Sequence, residues 1–333
     1  MFNQALWLKN SKQSKLVLIL MYLLHLVIIP FSYFNKSIVL KEQINSVEQY
    51  KGIYIGEFSM LGFFSAFLMI AFAILLIGIE RNSGGIDFQF SLPFTPKQLF
   101  FSKWIYGISH LIAAYLCTFI LVIIIHFTTD LHQYITWTIF FKIFIILFLY
   151  SVAFFTTSLA IGTVTGHYFS QVLLTGFTLI SIITLYFSVF ANIKGLLNYD
   201  FHNIAIERFL PKITLPISLT STNIYLDLGT NKVNIEPIDL TNIIGMICYI
   251  IIFFIVGLLC FNRKANENNG KLFLYKKFGY IMQFIFIYLI ATGIALLTSA
   301  ITETSRTVIY LIGLCIGLIV GHLFYKRLNK FFD

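Results

Sequence analysis

Residues 58–79 read FSMLGFFSAFLMIAFAILLIGI, and the chain then turns abruptly polar at Glu80-Arg81-Asn82-Ser83-Gly84-Gly85. A charge-free run of that length crosses a hydrocarbon core, which takes roughly 20 residues of helix. Similar runs stand at 16–34, 104–125, 143–162, 172–190, 243–261, 280–300 and 307–325, giving eight expected spans. The whole chain agrees: 333 residues, 58% hydrophobic and 11% charged, with a mean hydropathy of +0.86. A soluble domain carries about 25% charged residues. This composition excludes a soluble enzyme, a disordered chain, a disulfide scaffold and a nucleic-acid-binding domain. The expectation is an all-α polytopic membrane protein, a single transmembrane domain over 1–333.

Working outward from that run, the basic residues set the orientation. With both termini cytoplasmic, the inner segments hold 14 Lys and Arg and the outer ones nine, four of those in the long segment 191–242. Acidic residues divide the other way, four inside and ten outside. This is the positive-inside pattern. Lys9, Lys12 and Lys15 precede the first run as in a signal peptide, but no small-residue cleavage site follows it, so the run is expected to stay as a span. Residues 1–15 read as an amphipathic interfacial helix or as a basic tail. Cys117, Cys248, Cys260 and Cys315 lie in or beside apolar runs without CxxC spacing, as buried reduced thiols do.

The outer segment 191–242 is the longest piece outside the spans and reads as a small extracellular insert. Within it, 223–228 and 232–235 flank Gly229-Thr230-Asn231, the pattern of a hairpin. The last two spans are separated by a few residues and form a helical hairpin, with 278–325 as a unit appended to a six-span core.

The cytoplasmic loop 80–103 carries the most information. Gly84-Gly85 permits a sharp break. Ile86, Phe88, Phe90, Leu92 and Phe94 place apolar bulk where water discourages it. Thr95-Pro96-Lys97-Gln98 starts a helix, with Thr as cap, Pro at the first position and Gln completing a capping box. A short apolar element is therefore held between two fixed ends, and its apolar face calls for a partner: the membrane interface or a cytoplasmic protein.

Glu80, a following Gly84, the pair Leu92-Pro93, the Thr-Pro helix start and Lys103 resemble the first cytoplasmic loop of ABC-2 type exporter permeases. The resemblance spans about 25 residues. It implies a coupling helix that docks into a groove of a separate ATP-binding subunit, and a dimer with a second copy or a related permease. Glu80, Gly84, Leu92, Pro93 and Lys103 match that pattern. Arg81 and Gly85 stand with them, and Phe88, Phe90 and Phe94 are inferred as the docking face. Gly166 and His167, in the short inner loop 163–170, are expected as a second contact. Two departures stand out: eight spans rather than the family's six, and the long outer insert. The general layout is most similar to permeases of bacterial peptide-toxin exporters of the phenol-soluble modulin type, or to antibiotic-responsive permeases.

Chemistry-bearing patterns are few. GxxxxGK[ST] and HExxH do not occur, so this chain is expected to bind no cofactor itself, ATP and Mg being handled by the partner ATPase. No Asp or Glu lies near the middle of a span, where an ion-coupled carrier needs one. Gln171, Thr175, Thr178, Ser181, Thr184 and Ser188 form a polar stripe on the fifth span, either lining a substrate path or joining helices. His25 and His110 lie within spans, as functional groups or as neutral hydrogen-bonding partners. The expected function is the permease subunit of an ATP-driven exporter of an apolar or amphipathic substrate, in the bacterial cell membrane and without enzymatic activity of its own. The alternatives are a membrane enzyme acting on lipid-linked substrates, with His126, Asp130 and His132 as its only candidate group, and a non-transporting sensor or immunity protein using the outer segment.

Overall fold

The structure is a computed structural model, and it describes residues 4–45, 52–54, 57–199, 204–220, 224–227, 232–235, 240–263, 270–301 and 306–332. Helix α1 (Gln4–Leu23) passes through a π-helical stretch, Leu24–Ile28, into α2 (Ile29–Asn45), and strand β1 (Gly52–Tyr54) follows. Helix α3 (Glu57–Ala73) likewise passes through a π-helical stretch, Ile74–Ile79, into the short α4 (Glu80–Asn82). Then come α5 (Gly85–Ser91), α6 (Pro96–Thr128), α7 (Leu131–Tyr134), α8 (Trp137–Gly162) and α9 (Tyr168–Leu197). The outer segment forms α10 (Ile204–Ile213), α11 (Leu215–Thr220), β2 (Ile224–Asp227) and β3 (Lys232–Ile235). Helices α12 (Leu240–Asn262), α13 (Lys276–Ile301) and α14 (Arg306–Phe332) close the chain.

Among the described residues, eight helical stretches are long and apolar enough to cross a membrane, and they coincide with the eight apolar runs. The helices outrun the apolar residues. Helix α6 has 33 residues, about 50 Å at the α-helical rise, so it projects beyond a hydrocarbon core of about 30 Å. The chain is helical from Gln4, and α1 continues into the first span without a break.

Helix α8 is the centre of the bundle. From Tyr150 to Gly162 every side chain is buried, against α3, α6, α9 and α12. Small residues allow this: Ser151, Ala153, Ser158, Ala160 and Gly162 let neighbouring backbones come close. Gly107 of α6 sits on the Phe155 ring, and a Cβ there would lie 2.1 Å from it.

Span 1 is joined to α6 by hydrogen bonds spread along its length. Ser14 meets the Tyr106 hydroxyl at 3.1 Å, Tyr22 meets His110 Nδ1 at 3.0 Å, Thr118 donates to the His25 carbonyl at 2.8 Å, and Tyr33 meets His126 Nδ1 at 2.8 Å. His25 and His110 thus both act as hydrogen-bonding groups, His25 Nδ1 lying 2.8 Å from the Met21 carbonyl of its own helix.

The α13–α14 hairpin is as expected. Gly313, Gly317 and Gly321 lie against Ala295, Ala291 and Ile287, so the two helices touch backbone to backbone. The hairpin docks on α9 through Asn192, which donates to Tyr288 (2.9 Å) and Thr292 (3.1 Å) and accepts from Tyr310 (3.1 Å). Strands β2 and β3 form the antiparallel hairpin read from the sequence, its turn lying outside the described residues. Strand β1, from the loop between the first two spans, pairs antiparallel with β2, Ile53 opposite Leu226. This third strand, unforeseen in the sequence, ties two outer loops together.

Candidate functional site

The site is the cytoplasmic end of spans 1 to 3 with α5. Gly84 adopts φ 72°, a left-handed turn open to glycine at no steric cost, and α5 begins at once. Leu92, ahead of Pro93, is extended, which ends the helix. Thr95 then caps α6: its Oγ1 accepts from the Gln98 amide at 3.3 Å, and Gln98 Oε1 accepts from the Thr95 amide at 2.9 Å. This is the capping box read from the sequence.

Between these turns lies a buried charge cluster. Glu80 is 3% exposed and Lys103 2%, and the two form a direct ion pair. Glu80 also accepts from Gln89 Nε2 at 2.6 Å and pairs with Lys9 at 3.0 Å. Lys103 donates a second hydrogen bond to the Leu76 carbonyl at 2.8 Å, while Gln13 donates to the Leu75 carbonyl. A π-turn disturbs the regular i−4 ladder, and these two carbonyls, at the start of the 74–79 stretch, are served by side chains from spans 3 and 1. Burying a carboxylate costs several kcal/mol unless it is paired and hydrogen-bonded, and Glu80 has cations from two spans and an amide from α5. One carboxylate thereby fastens α1, α4, α5 and α6 to one another. Lys9, Gln13 and Gln89 were missed in the sequence; Gln89 lies one helical turn beyond Ile86 on the same inward face, a spacing that shows it only once α5 is known to be a helix.

The inferred docking face needs correction. Phe88 is 65% exposed. Phe90 turns inward onto Phe261 with ring centroids 5.3 Å apart, and Phe94 packs against the core. In an extended strand 88, 90 and 94 share a side; in a helix two residues lie 200° apart, so Phe88 and Phe90 diverge. The outward surface is instead Asp87, Phe88, Ser91 and Pro93, with Leu92 half-buried beside it. Arg81 is buried, its charge within reach of Asp87 and Tyr275. Gly85 is half-buried at the α5 start.

Gly166 is also not an open contact. The segment 163–166 is buried beneath 270–274, with Gly270 N donating to Gly166 O and Leu274 N to Val164 O, both at 2.9 Å. His167 caps α9, its Nδ1 accepting from the Phe169 amide at 3.1 Å, and burial lowers its pKa from the usual imidazole value.

The stripe on α9 divides. Gln171 is buried and donates to the Ser158 carbonyl at 2.9 Å, joining α9 to α8. Thr178, Ser181, Thr184 and Ser188 each bond back to carbonyls of their own helix. Thr175 is buried, and its hydroxyl has no hydrogen-bond partner among the described residues. Of the six, Thr178 and Ser181 line a cavity of about 600 Å³ between α9, α10 and α12, walled mostly by apolar side chains such as Phe209, Ile252 and Phe253. Tyr249 lines it too, with a buried hydroxyl that lacks a partner among the described residues. At the outer face, His126 stacks on Phe140 and bonds Tyr33, His132 Nδ1 lies 2.6 Å from the Thr129 carbonyl, and Asp130 pairs with Lys41 at 3.7 Å. Each member of that group is engaged separately.

Compared with known proteins, the chain is 25% identical to "Probable ABC transporter permease YtrD" of Bacillus subtilis (strain 168) over 339 aligned residues, 98% of this chain and 99% of that protein. The chain is a relative of ABC transporter permeases. It is also 26% identical over 220 residues to "Probable ABC transporter permease YtrC" of the same organism, covering 62% of this chain and 61% of that one. No family model and no solved structure matches. Eight apolar spans and full-length similarity to a bacterial permease make it a multi-pass protein of the bacterial cell membrane.

Proposed function

We propose that this permease exports an apolar or amphipathic substrate, such as a peptide, a lipid or a hydrophobic drug, using a separate ATP-binding subunit that docks on α5. One observation carries the reading: Phe88 stands 65% exposed on a helix whose other side is fixed by Ile86, Gln89 and Phe90. A bare phenylalanine on a rigid cytoplasmic element is the form of an anchor for a partner's pocket. Two permeases, alike or related, would each present one α5 to a pair of ATPases, which hold the ATP and Mg. The Glu80 cluster gives the coupling its mechanics. Closure of the ATPases displaces α5, and the buried pairs carry that displacement into spans 1, 2 and 3 as one body. The apolar cavity beside Thr178, Ser181 and Tyr249 suits an apolar substrate with a small polar group.

The test is purification of tagged chain from its native membrane in mild detergent, as wild type and as Phe88→Asp. A stoichiometric ATP-binding subunit with the wild type, lost in a Phe88→Asp chain that retains its thermal stability, is the expected result. Recovery of no ATPase with the wild type, or unchanged recovery with Phe88→Asp, refutes docking at this face.

A further inference from the structure

The cytoplasmic end of the α13–α14 hairpin holds a second site. The glycine seam ends at Gly321; one turn further the α14 face carries Tyr325, whose hydroxyl donates to the Gly279 carbonyl at 3.3 Å. A large side chain replacing a small one leaves a gap beside it, and there a cavity of about 260 Å³ opens, its floor shared by Leu272 and Tyr325. Its polar lining is Lys271, Lys276, Gln283 and Asn329. Among the described residues, no carboxylate lines it. Neither lysine has an ion-pair partner among the described residues. Tyr280, at the rim, is 69% exposed and is followed on the surface by Ile281 and Phe284, 57% and 72% exposed, which in a membrane helix are lipid-facing.

We infer that this cavity binds the phosphate of an anionic phospholipid head group in the inner leaflet. Two ammonium groups supply the charge, Gln283 and Asn329 supply neutral hydrogen bonds to the ester oxygens, and the apolar rim meets the acyl chains. Basic pockets between helices on the cytoplasmic side have the chemistry for such head groups. The inference is independent of the proposed docking at α5.

The experiment is thermal unfolding of the purified full chain in detergent with added phosphatidylglycerol, phosphatidylcholine or inorganic phosphate. Three variants accompany the wild type: Lys271→Gln/Lys276→Gln, Lys271→Arg/Lys276→Arg, and Lys277→Gln/Lys330→Gln, which removes the same charge outside the cavity lining. Phosphatidylglycerol is expected to raise the midpoint of the wild type, of the arginine pair and of the off-cavity pair. The cavity glutamine pair is expected to need roughly 30-fold more lipid, from the typical contribution of two lysines at an anionic surface. An equal response to phosphatidylcholine overturns the inference, as does an equal loss in the off-cavity pair, which would assign the effect to diffuse charge. A shift that inorganic phosphate reproduces in full assigns the cavity to a free anion and overturns the lipid.

Discussion

Glu80 occupies a position where chemistry leaves little freedom: a carboxylate nearly out of reach of water, with Lys103 equally buried and Lys9 39% exposed. Removing one partner of such a pair costs about 3–5 kcal/mol, because the other charge is left uncompensated. Lys103→Met is therefore expected to lower the thermal unfolding midpoint far more than Lys9→Met. The Glu80→Gln/Lys103→Met pair is expected to recover part of that loss, and a double-mutant cycle on thermal stability reads the coupling directly. His167 gives a pH-dependent contribution. Its folded-state pKa is lowered, so the neutral cap stabilises the fold fully above the ordinary imidazole value of about 6.5. That contribution falls away as pH drops through the lower folded value. A His167→Asn cap does not titrate and is expected to flatten this acid limb of the stability profile. At this scale Glu80 and Lys103 were singled out through the loop's resemblance to permease loops, and their pairing with each other was not foreseen. Lys9 and Gln89 were not, because a charge beside an apolar run and an amide between phenylalanines look like ordinary surface until the helices assemble.

Helix α5 shows how an element can be anticipated in place but not in face. The turns on either side of it were explicit in the sequence, Gly84-Gly85 before it and the Thr95-Pro96 start of α6 after it, and both behave as their chemistry dictates. The segment between alternates Ile86, Phe88, Phe90, Leu92 and Phe94, a period of two that suits a strand, and only the helical conformation separates Phe88 from Phe90. Gly84→Ala puts no Cβ against any neighbour within 4 Å. Its cost is conformational alone, about 1–2 kcal/mol for a left-handed non-glycine residue, and is measurable as a lowered unfolding midpoint. Thr95→Ala removes the α6 cap and is expected to cost about 1 kcal/mol, read in the same assay.

Over the whole molecule the spans were the most legible feature, since a run of apolar residues long enough to cross a bilayer has few other uses. What joins the spans was not legible. The links between span 1 and α6 are single side chains, and their partners lie about 90 positions away. Strand β1 was missed for the same reason: it completes a sheet whose other strands belong to a different outer loop. The final hairpin depends on one such residue. Asn192→Leu leaves Tyr288, Thr292 and Tyr310 without their shared partner. It is expected to raise amide hydrogen exchange in α13 and α14 while leaving α8 protected.

The π-helical stretch Ile74–Ile79 has a geometric meaning for all of this. A stretch of this kind takes in one residue more than an α-helix of the same number of turns, and one residue is about 100° of rotation. Lys103 and Gln13, by holding the carbonyls of Leu76 and Leu75, fix the phase between the two halves of the second span. Were those carbonyls released and the stretch to tighten to α-helix, everything beyond it would swing by more than a quarter turn. Glu80 would leave Lys103, and Phe88 would point along a new bearing. The second span is thus a shaft with a keyed joint just above its cytoplasmic end, and the keys are side chains of its two neighbours.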